Sequence, residues 1–290
     1  MNRPLLSLIV AFVGYSLLNI SQAGQKIGLS LLKIRRLPGS LIWTAATLGT
    51  LGAALINLYA LSLGSVSLVG AMAGSGLASL ALFSWLVMKE RVGAQELAGI
   101  GFIVAAALLI GGLARPSGSQ TPRIEVLYAI LGAVSVVYTV LWAVFHRRNP
   151  LMTTVIAGFS GTLGGFVALF QKLSTTEQGR SQSLARGLGS LQKQPGLVSE
   201  TLSNPYTLAW IAIGMLSMVV LQFAYRRGEA IRIIPSFSAN YVVVPILGGM
   251  LVFGESLHPL QWFGAVLMVT GVLLLTLKSP GCKVPPTVSP

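Results

Sequence analysis

Tyr15, Asn19, Gln22 and Lys26 follow one another at spacings of four, three and four in an otherwise apolar stretch. On an α-helix residues at these spacings share one face. A polar stripe on a membrane-spanning helix turns toward protein or water, because lipid penalises it. Its amides and hydroxyls offer one of two chemistries, recognition of a small solute or hydrogen bonding between helices. A second polar set recurs at a fixed interval. Asn57 and Gln222 are separated by the same interval as Ser75 and Asn240. Tyr59 and Tyr225 follow the two amides, and Ser236, Ser238 and Tyr241 surround Asn240. Gly70 and Pro235 share the same separation, with Gly74 and Gly76 close by. Proline removes a backbone donor and glycine admits close approach, so these four positions are candidate helix breaks beside a cavity. The alternative for the glycines is helix packing: Gly70 and Gly74, like Gly161 and Gly165, form small-xxx-small pairs. The candidate lining of a solute cavity is thus Tyr15, Asn19, Gln22, Asn57, Tyr59, Ser75, Gln222, Tyr225, Ser236, Ser238, Asn240 and Tyr241.

Other chemistries lack their residues. The chain has seven Glu and no Asp. No span contains a paired carboxylate, and no Gly-rich phosphate loop or nucleophile motif occurs. No enzyme activity and no cofactor are expected, and without an ATP site any transport is gradient-driven or passive. His146 and His258 are isolated from other metal-binding side chains, so no metal ligand set is defined. Glu90 and Glu255 are matched by the same interval as the amides, and each stands just before a helix start. Carboxylates there favour the positive end of a helix and cap free amides, so both read as structural. Pro259 at an early helical position fits the same start signal. Cys282 has no partner for an internal disulfide.

The elements that must position these residues are membrane helices. Of 290 residues 53% are hydrophobic and only 9% charged, where soluble domains carry about 25%. The net charge of +13 is spread through short gaps between apolar runs, which is a topology signal and no nucleic-acid stripe. A span needs about 20 apolar residues. Nine segments qualify: 4–25, 40–63, 67–87, 94–114, 124–145, 151–170, 206–225, 232–254 and 260–277. The expected fold is an all-α integral membrane bundle of nine helices, or ten if 26–39 forms a short extra one. Thirteen Lys and Arg fall on one side of this arrangement and seven on the other. The richer side is expected to be cytoplasmic, with the N-terminus outside and the C-terminus inside a multi-pass protein of the cell membrane, if prokaryotic. A cleavable signal peptide ending near Ser21-Gln22-Ala23 is the alternative for the start. Residues 171–205 read as an outer loop, with Leu184, Leu188 and Leu191 at the spacing of a short amphipathic helix. The Pro-rich 279–290 reads as a disordered tail.

The register that pairs Glu90 with Glu255 holds without gaps from Leu68 to Ile110, matching Gly99 with Gly264 and Leu108 with Leu273. Five spans separate the Glu90 turn from the Glu255 turn, so the turns face opposite sides. That is an inverted-topology repeat, a plan common in secondary transporters. The halves are 1–123, with four helices, and 124–278, with five.

Asn57-Leu58-Tyr59-Ala60-Leu61, Leu68-Val69, Lys89-Glu90-Arg91 and Gly99 resemble the drug/metabolite transporter superfamily, of EamA-like type. Gly158-Phe159-Ser160-Gly161-Thr162 leading to Lys172, Gln222-Phe223-Ala224-Tyr225, Pro235 and Glu255 resemble its NIPA-type magnesium transporter family. The family has Pro-Leu-Gly where this chain has Gly70-Ala71-Met72. The resemblance implies nine helices, a lipid bilayer as surroundings and a small solute or ion as substrate, with Mg²⁺ the named candidate. Export of amino acids, metabolites or drugs is the alternative within the superfamily, and a non-transporting membrane scaffold the alternative outside it.

Overall fold

A computed structural model describes residues 3–32, 35–76, 78–79, 93–113, 121–145, 149–176, 204–227 and 230–276. Among them every regular element is a helix. In chain order these are α1 (Arg3–Leu32), α2 (Arg36–Leu63), α3 (Val66–Ala71) continued by a 3-10 turn (Met72–Gly74), α4 (Ala94–Gly112) and α5 (Ile124–Phe145). They are followed by α6 (Asn149–Thr176), α7 (Pro205–Arg227), α8 (Ala230–Phe253) and α9 (Pro259–Thr276). Six helices are long and apolar enough to cross a bilayer, from α1, α2, α5, α6, α7 and α8. The apolar stretches of α4 and α9, Leu97–Ile110 and Pro259–Leu274, are shorter. The protein is therefore a helical, multi-pass membrane protein.

Three sequence expectations change. Residues 26–32 continue α1 and 36–39 begin α2, so the described part of 26–39 forms no helix of its own. The helix expected to end at 170 runs on to Thr176, because Leu169 and Leu173 keep the apolar period and both are fully buried. This takes 171–176 out of the outer loop. Where the sequence set candidate breaks at Gly70, Gly74 and Gly76, the helical path tightens into a 3-10 turn, Met72–Gly74. Pro235, by contrast, does not break α8, which runs unbroken from Ala230 to Phe253. Glu90, His146, the loop residues 177–203 and the tail 279–290 with Cys282 lie outside the described residues, as do the side chains of Lys26, Tyr225 and Pro235.

Lipid is as apolar as leucine, so helices in a bilayer are held by close packing and hydrogen bonds. Small residues set the approach here. The α1–α2 hairpin is antiparallel, with Gly64 beside Ser7, Gly14 beside Asn57, Gly49 beside Ser21 and Gly28 against the Trp43 backbone. The pair α6–α8 is parallel: Gly161 lies on the Phe237 carbonyl, Gly164 on the Tyr241 ring and Gly165 on Val244, while Gly248 accepts Leu169. The pair α4–α9 is antiparallel, with Gly271 on the Gly99 carbonyl and Gly264 beside Ile110 and Ala106. Helix α6 is the centre of the bundle, with 72% of its apolar window buried against 6% for α5. It packs on α7, α8, α2 and α5. The outward faces of α2 and α5 carry Leu41, Leu48, Leu55, Val136, Val140 and Trp142, all exposed as a lipid-facing surface requires.

The α6–α8 seam gives a direct test. A leucine at Gly161 meets the Phe237 backbone, which cannot yield as a side chain tip can. Gly161→Leu should cost about 1–3 kcal/mol by overpacking, read as a lower thermal midpoint in detergent. Gly132→Leu, where a Cβ meets nothing within 4 Å, should stay within about 0.5 kcal/mol of the parent.

Candidate functional site

A crevice forms where α1, the 3-10 turn and α8 converge. It is lined by Leu18, Asn19 and Gln22 from α1, by Ala73 and Gly74, and by Phe237, Ser238, Tyr241 and Val242 from α8. Its volume is about 10 Å³, near the space one water needs. The three glycines of the third span explain the convergence, because each faces a different helix. Gly70 lies on Pro245 of α8, Gly74 on Met268 and Val272 of α9, and Gly76 on the Tyr15 carbonyl and the Asn19 amide of α1. A side chain at any of the three would push one helix away. Aromatic rings close one wall: Tyr15 meets Tyr241 edge-on at 6.0 Å, and Tyr241 stacks on Phe237 at 5.4 Å. The Asn19 amide donates to the Tyr15 carbonyl at 2.9 Å, which leaves its oxygen as an acceptor.

The crevice thus unites Asn19, Gln22, Gly74, Ser238 and Tyr241 from the sequence-derived set, with Tyr15 packed against the Tyr241 ring beside it. The others lie elsewhere. Asn57 is 5% exposed and rests on Gly14 of α1, its oxygen without a hydrogen-bond partner among the described residues. Asn240 faces α6: its amide donates to the Ser236 carbonyl at 2.8 Å, and its oxygen accepts from Thr162 at 3.4 Å. Thr162 in turn meets the Tyr138 hydroxyl at 2.9 Å, and Ser236 donates to the Thr154 carbonyl at 2.9 Å. Asn57 and Asn240 therefore share no cavity, and both act in helix contacts. Ser75 donates to the Met72 carbonyl at 2.6 Å, closing the 3-10 turn. Tyr59 and Gln222 are half-buried on α2 and α7.

A second cluster lies at the corner between α2 and α3. Both carboxylate oxygens of Glu255 accept from backbone amides, Val66 and Ser67, each at 2.7 Å. Lys172 on α6 donates to the Leu61 and Gly64 carbonyls at 2.8 and 2.7 Å. The two side chains are near enough to attract each other. Glu255 does cap a helix, as expected, but the helix is α3 and not the α9 that follows it. The start of α9 is served by Gln261, which accepts from the His258 amide at 2.9 Å. Sequence reading placed Lys172 in a loop. The signal was present in Phe166, Leu169, Phe170 and Leu173, whose helical spacing carries the span past it.

Among the described residues no three of His, Cys, Asp and Glu gather as a metal site needs. What the crevice offers is amide, hydroxyl and aromatic contact.

The burial of Asn57 predicts the outcome of replacing it. Asn57→Leu should lower the thermal midpoint, since a branched side chain meets Gly14 across a tight seam at a cost of about 1–3 kcal/mol. Asn19→Ala, which adds no bulk beside Gly76 and loses only a bond within its own helix, should cost no more than about 1 kcal/mol. The measurement is fluorescence-detected melting of both variants in one detergent.

The chain matches no protein-family model, no curated protein and no solved structure.

Proposed function

We propose that the protein is a gradient-driven or facilitative transporter of a small solute that works by alternating access between two inverted halves. The observation that carries this reading is the crevice: uncharged polar groups and aromatic rings from both halves meet beside a helix that tightens into a 3-10 turn. Solute sites of secondary transporters favour such interruptions of regular helix near the midplane. The repeat is supported by helix bounds, since α4 begins at Ala94 and α9 at Pro259, the same interval that separates Asn57 from Gln222. It is supported again by packing. The corresponding helices α4 and α9 lie antiparallel against each other, as do α3 and α8. An inverted pair related by a two-fold axis must pack in this way.

The resemblance to NIPA-type proteins names Mg²⁺. The lining itself favours an uncharged organic solute of the drug/metabolite kind, because Mg²⁺ takes carboxylates and the crevice presents amides, hydroxyls and the rings of Phe237 and Tyr241. A crevice the size of one water is the closed form, and opening one side admits the solute. Orientation follows the charge split: a reporter active only in the cytoplasm should work when fused to the C-terminus. A silent, well-expressed fusion reverses the topology.

Purified protein in liposomes tests the function. At least one solute should move from a panel of Mg²⁺, other divalent ions, amino acids and small metabolites. Asn19→Ala and Ser238→Ala, which remove polar groups without adding bulk, should each lower that flux at least tenfold while their melting stays near the parent. Flux of Mg²⁺ alone would favour the ion over the organic solute. A protein that melts cooperatively in liposomes and moves nothing is a scaffold.

A further inference from the structure

We infer that the α2–α3 corner is a two-charge latch, in which Lys172 and Glu255 of the second half hold the α1–α2 hairpin of the first half at one end of the molecule. The corner needs partners because the chain turns at Gly64 and Ser65, leaving carbonyls at the end of α2 and amides at the start of α3. Gly64 donates to the Ala60 carbonyl, and Ser65 caps the Leu68 amide. Four further backbone groups take a charged partner. Lys172 holds two carbonyls and Glu255 holds two amides, so each charge meets the helix terminus of opposite polarity.

The bonds along α2 are unevenly placed. Toward the corner they reach the second half, through Lys172 and through Gln171, which donates to the Ala54 carbonyl at 3.3 Å. Ser67 adds a bond to the Ile246 carbonyl at 3.2 Å. Toward its start, α2 bonds to its own hairpin: Gln25 donates to Thr50 at 3.0 Å. The hairpin is tied to itself at both ends, by Ser7, which donates to the Ala60 carbonyl at 2.8 Å near the corner, and by Gln25 and Thr50 at the other, whereas its bonds across the halves lie toward the corner. The crevice lies away from the corner along the same helices. On α8, Ile246 and Gly249 meet the corner while Ser238 and Tyr241 line the crevice. Releasing the two charges should free the corner and leave the hairpin intact. As a gate for a solute the latch rests on the transport reading; as a contact that opens it does not.

Thiol labelling distinguishes these. Val66 is fully buried at the corner and Ala157 is fully buried on α6. In a Cys282→Ser background, Val66→Cys and Ala157→Cys are made as separate reporters, each alone and with Glu255→Gln or Lys172→Met. The water-soluble maleimide reaction should accelerate at least tenfold at position 66 in either latch variant and stay unchanged at position 157. The double variant should label no faster than the faster single one, since one contact opens only once. Unchanged labelling at 66 overturns the latch. Acceleration at both reporters overturns it too, since the two charges then hold the whole fold and not one corner. No solute enters this measurement, so a latch that opens in a protein without flux removes the transport reading alone.

Discussion

A helix that stops inside a packed membrane protein leaves backbone groups that lipid cannot satisfy. The chain meets that constraint where α2 ends and α3 begins. Without Lys172 and Glu255, four peptide groups beyond those that Ser65 and the turn itself serve would lose their partners. Much of the remaining arrangement follows from keeping this corner. Glu255 must lie beside the start of α3, which fixes the turn after α8, and Gly254 enters that turn with a φ of 62°. Gly249 must also lack a side chain, because Ser67 and Glu255 occupy the space one would fill. Lys172 must project from α6 at the level of Gly64, which sets how far α6 runs past its apolar stretch.

Glycine does for the seams what charge does for the corner. With no hydrophobic force between helices in lipid, contact area and hydrogen bonds decide association. Gly14 and Gly28 let α2 approach α1, and Gly161, Gly164 and Gly165 let α8 approach α6. Gly76 lies on the Tyr15 carbonyl of α1, and Gly164 of α6 lies under the Tyr241 ring of α8. The two tyrosines then meet each other across the crevice wall.

Six of the nine expected spans appear among the described residues as helices long and apolar enough to cross a bilayer, because apolar length is a local property. An irregularity in the third span was legible, from Gly70, Gly74 and Gly76, though not which helix each glycine would admit. Pro235 misled, since α8 runs unbroken through both Pro235 and Pro245, as membrane helices do where neighbouring groups re-satisfy the freed backbone. Glu255 was read as a cap because its position beside a helix start is visible in one dimension. That it reaches α3 is a matter of three-dimensional proximity between residues far apart in the chain. The polar positions set at one interval suffered from the same limit. A shared interval in the sequence does not bring side chains into one cavity. Asn57 rests on α1 and Asn240 on α6, each on a helix of its own half. The α1 stripe was more reliable, because Tyr15, Asn19 and Gln22 lie on one helix face whatever packs against it.

Charged and uncharged polar groups are separated along the bundle. Lys172 and Glu255 are both committed to backbone groups at the corner, whereas the crevice presents Asn19, Gln22, Ser238 and Tyr241 with no formal charge. Dipoles at short range discriminate by shape and hydrogen-bond pattern, and a missing partner for a buried polar group costs about 1–3 kcal/mol. That is enough for selectivity and weak enough for release. Charged hydrogen bonds are stronger, at about 1.5–3 kcal/mol each, which on the proposed reading suits a contact that holds one end shut while a solute comes and goes at the other. On the proposed reading, a solute that drew Asn19 and Gln22 toward Ser238 would act on α1 and α8 together. These are the helices on either side of the third span, so the pull would reach the corner through α3 without any charge in the crevice itself.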